Sequence, residues 1–70
     1  MNTTVTGTYE SATQVTNTQE DLIALGIPRE QIFVDKKNHQ IKIMIPEITE
    51  PEIEMILKRH QFSEITARRH

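Results

Sequence analysis

Cysteine is absent from this chain of 70 residues, and aromatic side chains are limited to one tyrosine and two phenylalanines. The lack of cysteine excludes disulfides and metal sites built from thiolates. An RNA-binding sheet needs exposed aromatic side chains on its central strands, on which the bases stack. With few aromatics and a net charge of −2, the chain is not expected to bind nucleic acid.

Long apolar runs are also missing. The longest apolar-rich run, IKIMIP at residues 41–46, is far too short to cross a bilayer. The first ten residues, MNTTVTGTYE, contain neither a basic segment nor an apolar core, so no signal peptide is expected. These features predict a cytoplasmic protein with no membrane partner.

The length predicts one small domain, residues 1–70, with a thin core. Because domains of this size often gain stability by self-association, a homodimer is favoured. Charge alternates in blocks: residues 1–35 and 46–57 are acidic, whereas residues 36–45 and 58–70 are basic. Such blocks are either solvated surface or complementary faces.

The first half of the chain predicts a strand and a helix. Threonines alternate with Val5, Gly7 and Tyr9, which is the period of a strand. Gly7 inside it predicts a bulge or the close approach of a helix. A capping box starts a helix at Ser11, with Gln14 as its partner, and Gly26 ends it. The predicted buried stripe of this helix consists of Ala12, Val15, Gln19, Leu22 and Ile23.

The second half predicts a hairpin, a helix and a last strand. EQIFVD and QIKIMIPE alternate around the polar turn KKNH. Thr49 and Glu52 form a second capping box, and Ile48 with Ile53 form a hydrophobic staple. Ile53, Ile56, Leu57 and His60 then follow helical spacing, and the segment SEITARR alternates as a short strand.

The element order is therefore β-α-β-β-α-β. This order predicts an α+β, ferredoxin-like sandwich: a four-stranded antiparallel sheet of order 4-1-3-2 with both helices on one face. The pieces GTYES, DLIALGIPREQIFV and LKRHQF followed by EI resemble small bacterial heat-induced or general stress domains. That resemblance implies the same fold but no defined biochemistry. The chain departs from the pattern at Gln61, where a glycine is usual.

Enzymatic functions of ferredoxin-like domains lack their motifs here. An acylphosphatase-like cradle needs glycines and an arginine after the first strand, where this chain has TYESAT. A domain of the amino-acid-sensing ACT type needs a glycine-rich start to the first helix. Pairing Tyr9 or Ser11 with His39 or His60 is the nearest catalytic arrangement, but packing and capping explain both residues. We predict no catalytic residue and no cofactor.

The three histidines are His39, His60 and His70. Two of them could meet and hold a zinc, copper or nickel ion. However, no third ligand is suitably spaced, and the helix dipole already explains His60. No metal site is predicted.

Chain reversal at each connection puts the hairpin turn, the end of the second helix, Tyr9 and Ser11 at one pole of the fold. The candidate anion-binding residues at this pole are Lys36, Lys37, His39, Lys58, Arg59 and His60. A solvated basic rim is the alternative. Arg68 to His70 lie at the opposite pole, where Glu47, Glu50 and Glu52 are available as partners.

The sheet face opposite the helices is the second candidate surface. It carries Thr6, Thr8, Phe33 and Met44, which make it mildly apolar. We predict a non-enzymatic interaction or regulatory module, self-associating or binding an unknown protein partner through this face or an edge. The alternative function is a module that binds a small anion or nucleotide at the basic pole.

Overall fold

The computed structural model describes residues 2–69, which form an α+β architecture. His70, considered above as a metal ligand, lies outside these residues. The strands are β1 (Asn2–Thr8), β2 (Ile32–Asp35), β3 (Gln40–Pro46) and β4 (Ser63–Arg69), and the helices are α1 (Ala12–Leu25) and α2 (Glu50–Arg59). Short 3₁₀ turns, Arg29–Gln31 and Glu47–Thr49, lead into β2 and α2. All strand pairs are antiparallel in the order β2-β3-β1-β4, which confirms the predicted 4-1-3-2.

Strand β1 lies inside the sheet, and Gly7 allows its close packing. Val5 lies opposite Ile43 of β3 and Ala67 of β4. A Cβ on Gly7 would lie 2.9 Å from Cδ2 of Phe62 and 3.3 Å from Cδ1 of Leu57. The β1–β4 register also shifts between Thr6 and Thr8. Both outcomes expected of a glycine here, a bulge and a close approach of α2, are therefore present.

Within residues 2–69, one cluster of apolar side chains forms the core. Alternate residues of β3 are buried there, as the period of two predicts. Both helices pack onto the same cluster, which consists of Val5, Tyr9, Val15, Leu22, Ile32, Ile41, Ile43, Ile45, Ile53, Ile56, Leu57 and Phe62.

Helix α1 begins and ends as predicted, but its buried stripe differs. Val15 and Leu22 are buried, whereas Ile23 is 37% exposed. The third buried residue is Thr18, three positions after Val15 and four before Leu22, where helical geometry places it on the same line. Its hydroxyl donates to the Gln14 carbonyl at 2.8 Å, which satisfies the polar group. Because threonine is polar, the apolar pattern in the sequence did not indicate that Thr18 is buried.

The predicted start of α2 is wrong in detail. Thr49 has helical backbone angles (φ −86°, ψ −11°) because it belongs to the preceding 3₁₀ turn, and its side chain makes no capping hydrogen bond. Ile48 is 89% exposed, so it forms no staple with the buried Ile53. Ile53, Ile56 and Leu57 lie in the core as predicted, whereas His60 follows the helix as its C-cap and is only partly buried. Across the described chain, neither helix is long and apolar enough to span a membrane.

Candidate functional site

The β2–β3 turn is held by its own side chains. Asp35 accepts from the Asn38 backbone N–H at 3.1 Å and from Asn38 Nδ2 at 2.8 Å. The side-chain bond from Asn38, followed by the backbone bond, holds the pKa of Asp35 below its ordinary value, and the charge of Lys42 contributes less. His39 closes the turn with a left-handed φ of 54°. The turn is thus ordered while Lys36 and Lys37 remain exposed.

Tyr9 joins this turn to the end of α2. Its backbone N–H donates to the His39 carbonyl at 2.8 Å. Its ring stacks on the His39 imidazole, with centroids 5.6 Å apart and planes inclined by 12°. The Tyr9 ring also meets the Phe62 ring edge-on, with centroids 6.3 Å apart. His39 is therefore fixed against an aromatic ring that is itself buried in the core.

A groove of about 540 Å³ lies between the start of α1 and strand β2. Its wall includes Ser11, Val34, Lys36 and His39, together with the acidic Glu10. Two candidate anion-binding residues thus share one groove.

The start of α1 already satisfies part of its own hydrogen-bonding capacity. Ser11 Oγ accepts from the Gln14 backbone N–H at 3.2 Å, and Gln14 Oε1 accepts from the Glu10 N–H at 2.8 Å. The capping box is therefore formed, with its return bond one residue earlier than the usual position. An anion at this helix start would compete with Ser11 and lie beside Glu10.

His60 lies on a different side of the same helix start. Its Nε2 is 2.6 Å from Oδ2 of Asp21, and its carbonyl accepts from Gln14 Nε2 at 2.8 Å. With Glu10, Ser11 and Gln61, His60 lines a second groove of about 400 Å³. The polar contacts of His60 hold α2 to α1, which leaves its ring less available to a ligand.

The remaining basic residues are dispersed. Arg59 lines a groove of about 420 Å³ between the helices, where Asp21 and Glu52 also lie. Lys37 and Lys58 are exposed and line neither groove at the start of α1. Of the six candidates, only Lys36 and His39 share one groove.

Arg69 is paired at the opposite end, as predicted. Its Nη1 lies 3.2 Å from Glu47 Oε1, and its Nε is 4.0 Å from Glu50 Oε1, too far for a hydrogen bond. Glu52 instead faces the groove between the helices. The end of β4 is thus held beside the start of α2.

The uncovered sheet face carries the other predicted residues. Phe33 lies opposite Lys42, which lies opposite Thr6, so these three side chains form one row across the sheet. Phe33 is 50% exposed, whereas Met44, Thr6 and Thr8 are half-buried. Phe33 is therefore the main apolar contact that this face offers.

Exposed apolar residues on the helical side escaped the sequence interpretation. Leu25 and Met55 line the groove between the helices, and Met55 is 62% exposed. Met55 lies between the buried Ile53 and Ile56 in sequence but on a different side of the helix. Its position in the helical period could therefore have indicated that it is exposed.

The two residues considered for catalysis, Ser11 and Tyr9, both make structural contacts. Ser11 serves as a cap, and Tyr9 presents its ring to His39. Within residues 2–69, no three histidine or carboxylate side chains are grouped so that they could hold a metal ion. Comparison of the chain with protein-family models, curated proteins and solved structures gives no match.

Proposed function

We propose that this chain is a small non-enzymatic interaction module that self-associates, built on a ferredoxin-like fold. The element order and the sheet order β2-β3-β1-β4 support that fold name. The resemblance to heat-induced or general stress domains, and a cytoplasmic location, stay predictions.

The half-exposed Phe33 is the observation that carries this proposal. Its ring lies on the sheet face that the helices leave uncovered, beside the half-buried Met44, Thr6 and Thr8. Covering a phenylalanine removes apolar area from water, and each Å² so removed contributes about 25 cal/mol. A domain this small gains proportionally more from such burial than a large one.

Sedimentation velocity at concentrations from about 1 to 500 µM tests self-association, a range that spans weak to moderate affinity. We expect the sedimentation coefficient to rise with concentration. Phe33→Ser should shift the transition to higher concentration, and Met44→Glu should do the same if the face itself is covered. Met55→Ser is the matched control, because Met55 is similarly exposed but lies on the helical side. A monomer throughout the range would contradict the proposal.

The alternative function is binding of a small anion or nucleotide at the basic pole. The groove shared by Lys36, His39 and Ser11 is the observation that favours it. Titration with inorganic phosphate or a nucleotide, followed by amide NMR shifts, tests it. Binding predicts shifts at residues 9–12 and 36–40 that Lys36→Glu abolishes and Lys58→Glu leaves intact. Unmoved amides at millimolar ligand would contradict it.

A further inference from the structure

Strand β2 lies at an edge of the sheet, yet its sequence is as apolar as that of a strand covered on both faces. Ile32, Phe33 and Val34 are consecutive apolar residues, and successive side chains of a strand point to opposite faces. Such a run is typical of strands that are covered on both faces. Ile32 belongs to the core and Val34 packs against it, while Phe33 lies on the uncovered face. Nevertheless, within the described chain β2 pairs with β3 alone.

The other edge strand, β4, has features that oppose pairing. Its sequence SEITARR places charged residues near both ends. Glu64 has a left-handed φ of 50° next to the register shift between β1 and β4. Bulges and charged side chains are the devices by which proteins protect exposed edges. Strand β2 has no register shift in its pairing with β3 and is the more apolar edge.

We propose that two copies of this chain pair antiparallel through β2, with a two-fold axis beside Phe33; this inference rests on the proposed self-association. The result is one continuous eight-stranded sheet. In this register Phe33 lies opposite the Phe33 of the second copy, and Ile32 lies opposite Val34. Moving the axis to Ile32 or Val34 would instead place Phe33 opposite Gln31 or Asp35. Only the register centred on Phe33 matches apolar residues on both faces.

The charges that flank β2 fit the same register. Glu30 lies in the 3₁₀ turn just before β2, and Lys36 lies in the hairpin turn just after it. The proposed two-fold axis therefore brings the Glu30 end of one copy beside the Lys36 end of the other, and the symmetry repeats this arrangement. Both side chains are exposed, and within residues 2–69 neither takes part in an ion pair. Arg29 and Lys37 lie in the same two turns, one residue further from Phe33. The Glu30 and Lys36 charges are therefore placed to complement each other across the proposed two-fold axis, as the apolar residues are.

Cysteine cross-linking tests the register, because the chain has no cysteine of its own. Residues directly opposite in antiparallel strands have Cα atoms about 4.5–5.5 Å apart, within the range of a disulfide. We expect Phe33→Cys to form a disulfide-linked dimer under mild oxidation. Thr6→Cys, in the middle of the uncovered face, and Thr66→Cys, on β4, are matched controls that should remain uncross-linked.

Charge reversal tests the same register without removing Phe33. Glu30→Lys and Lys36→Glu should each raise the dimer Kd by roughly three- to tenfold, since each creates two like-charge contacts. The double variant restores both pairs and should return the Kd to within about twofold of the wild type. Additive weakening in the double variant would overturn the proposed register.

The outcomes separate this inference from the proposed function. A wild-type chain that stays monomeric over the whole concentration range would overturn both. Self-association with cross-linking at Thr6→Cys would indicate face-to-face packing, and at Thr66→Cys pairing through β4. Either result would overturn the β2 pairing and leave the interaction module standing.

Discussion

Gly7 of β1 lies directly beneath Phe62, so closely that an added Cβ would come within 2.9 Å of the Phe62 ring. The same Phe62 ring contacts Tyr9, which in turn stacks on His39. The close approach at Gly7 therefore helps to determine how the end of α2 and the β2–β3 turn meet.

Gly7→Ala should destabilise the protein by about 1–3 kcal/mol, because a methyl group would have to displace a packed ring and the Leu57 side chain. Urea denaturation at one fixed protein concentration measures the change. Thr8→Ala, at the half-buried neighbouring position, is the control. Combining Gly7→Ala with Phe62→Leu should cost less than the sum of the two single changes. Strict additivity would show that Phe62 is not the obstacle.

The two helix ends offer a second comparison. After α1, Gly26 adopts φ 107° and the Ile27 N–H donates to the Leu22 carbonyl. After α2, Gln61 adopts φ 64° and the Phe62 N–H donates to the Leu57 carbonyl in the same pattern. The left-handed conformation costs a residue with a side chain about 1 kcal/mol, and glycine avoids that cost.

Gln61→Gly should therefore stabilise the protein by about 1 kcal/mol, and Gly26→Gln should destabilise it by a similar amount. Thermal or urea unfolding of the two single variants measures both. A destabilised Gln61→Gly variant would show that the glutamine side chain makes a compensating contribution. The missing glycine at residue 61 was visible in the sequence, but its backbone angle was not.

Much of the fold could be predicted because its signals are local. The alternation of Ile41, Ile43 and Ile45 and the cap at Ser11 depend on neighbours in sequence, and the structure agrees. The predicted capping box at the start of α2 was wrong because a 3₁₀ turn before the helix moves Thr49 out of the capping conformation. The contact between His60 and Asp21 joins residues 39 positions apart, so no local pattern indicates it.

The two capping boxes should respond differently to mutation. Ser11→Ala removes a formed cap and should cost about 1 kcal/mol. Thr49→Ala removes no capping hydrogen bond and should change the free energy of unfolding by less than about 0.5 kcal/mol. Urea unfolding of the pair measures the difference. Equal losses would show that Thr49 caps α2 after all.

The lowered pKa of Asp35 makes the stability of the hairpin turn depend on pH. Its pKa is lowered in the folded protein, first by the Asn38 side-chain bond and then by the Asn38 backbone bond. A carboxylate with a depressed pKa contributes its full stabilisation above the unfolded-state pKa. That stabilisation is lost as the pH falls through the folded-state pKa.

Asn38→Ala should move the Asp35 pKa upward, toward the ordinary value for aspartate. Lys42→Met should move it in the same direction but less, since the charge of Lys42 is the smaller cause. Carboxyl carbon shifts followed by NMR over an acid titration give the midpoint. Asn17→Ala, on the exposed side of α1, is the control that should leave it unchanged. An unchanged titration midpoint in Asn38→Ala would show that the Asn38 hydrogen bonds do not lower the pKa of Asp35.

Two buried threonines make the last prediction. Thr3 and Thr18 are both fully buried, but Thr18 donates to the Gln14 carbonyl while Thr3 Oγ1 has no hydrogen-bond partner within residues 2–69. A buried hydroxyl without a partner costs about 1–3 kcal/mol of desolvation. Valine has nearly the same shape and suits a strand. Thr3→Val should therefore stabilise the protein by about 1 kcal/mol, whereas Thr18→Val should be neutral or destabilising by about 1 kcal/mol. Urea unfolding compares them, and a destabilised Thr3→Val variant would indicate that a bound water satisfies the Thr3 hydroxyl.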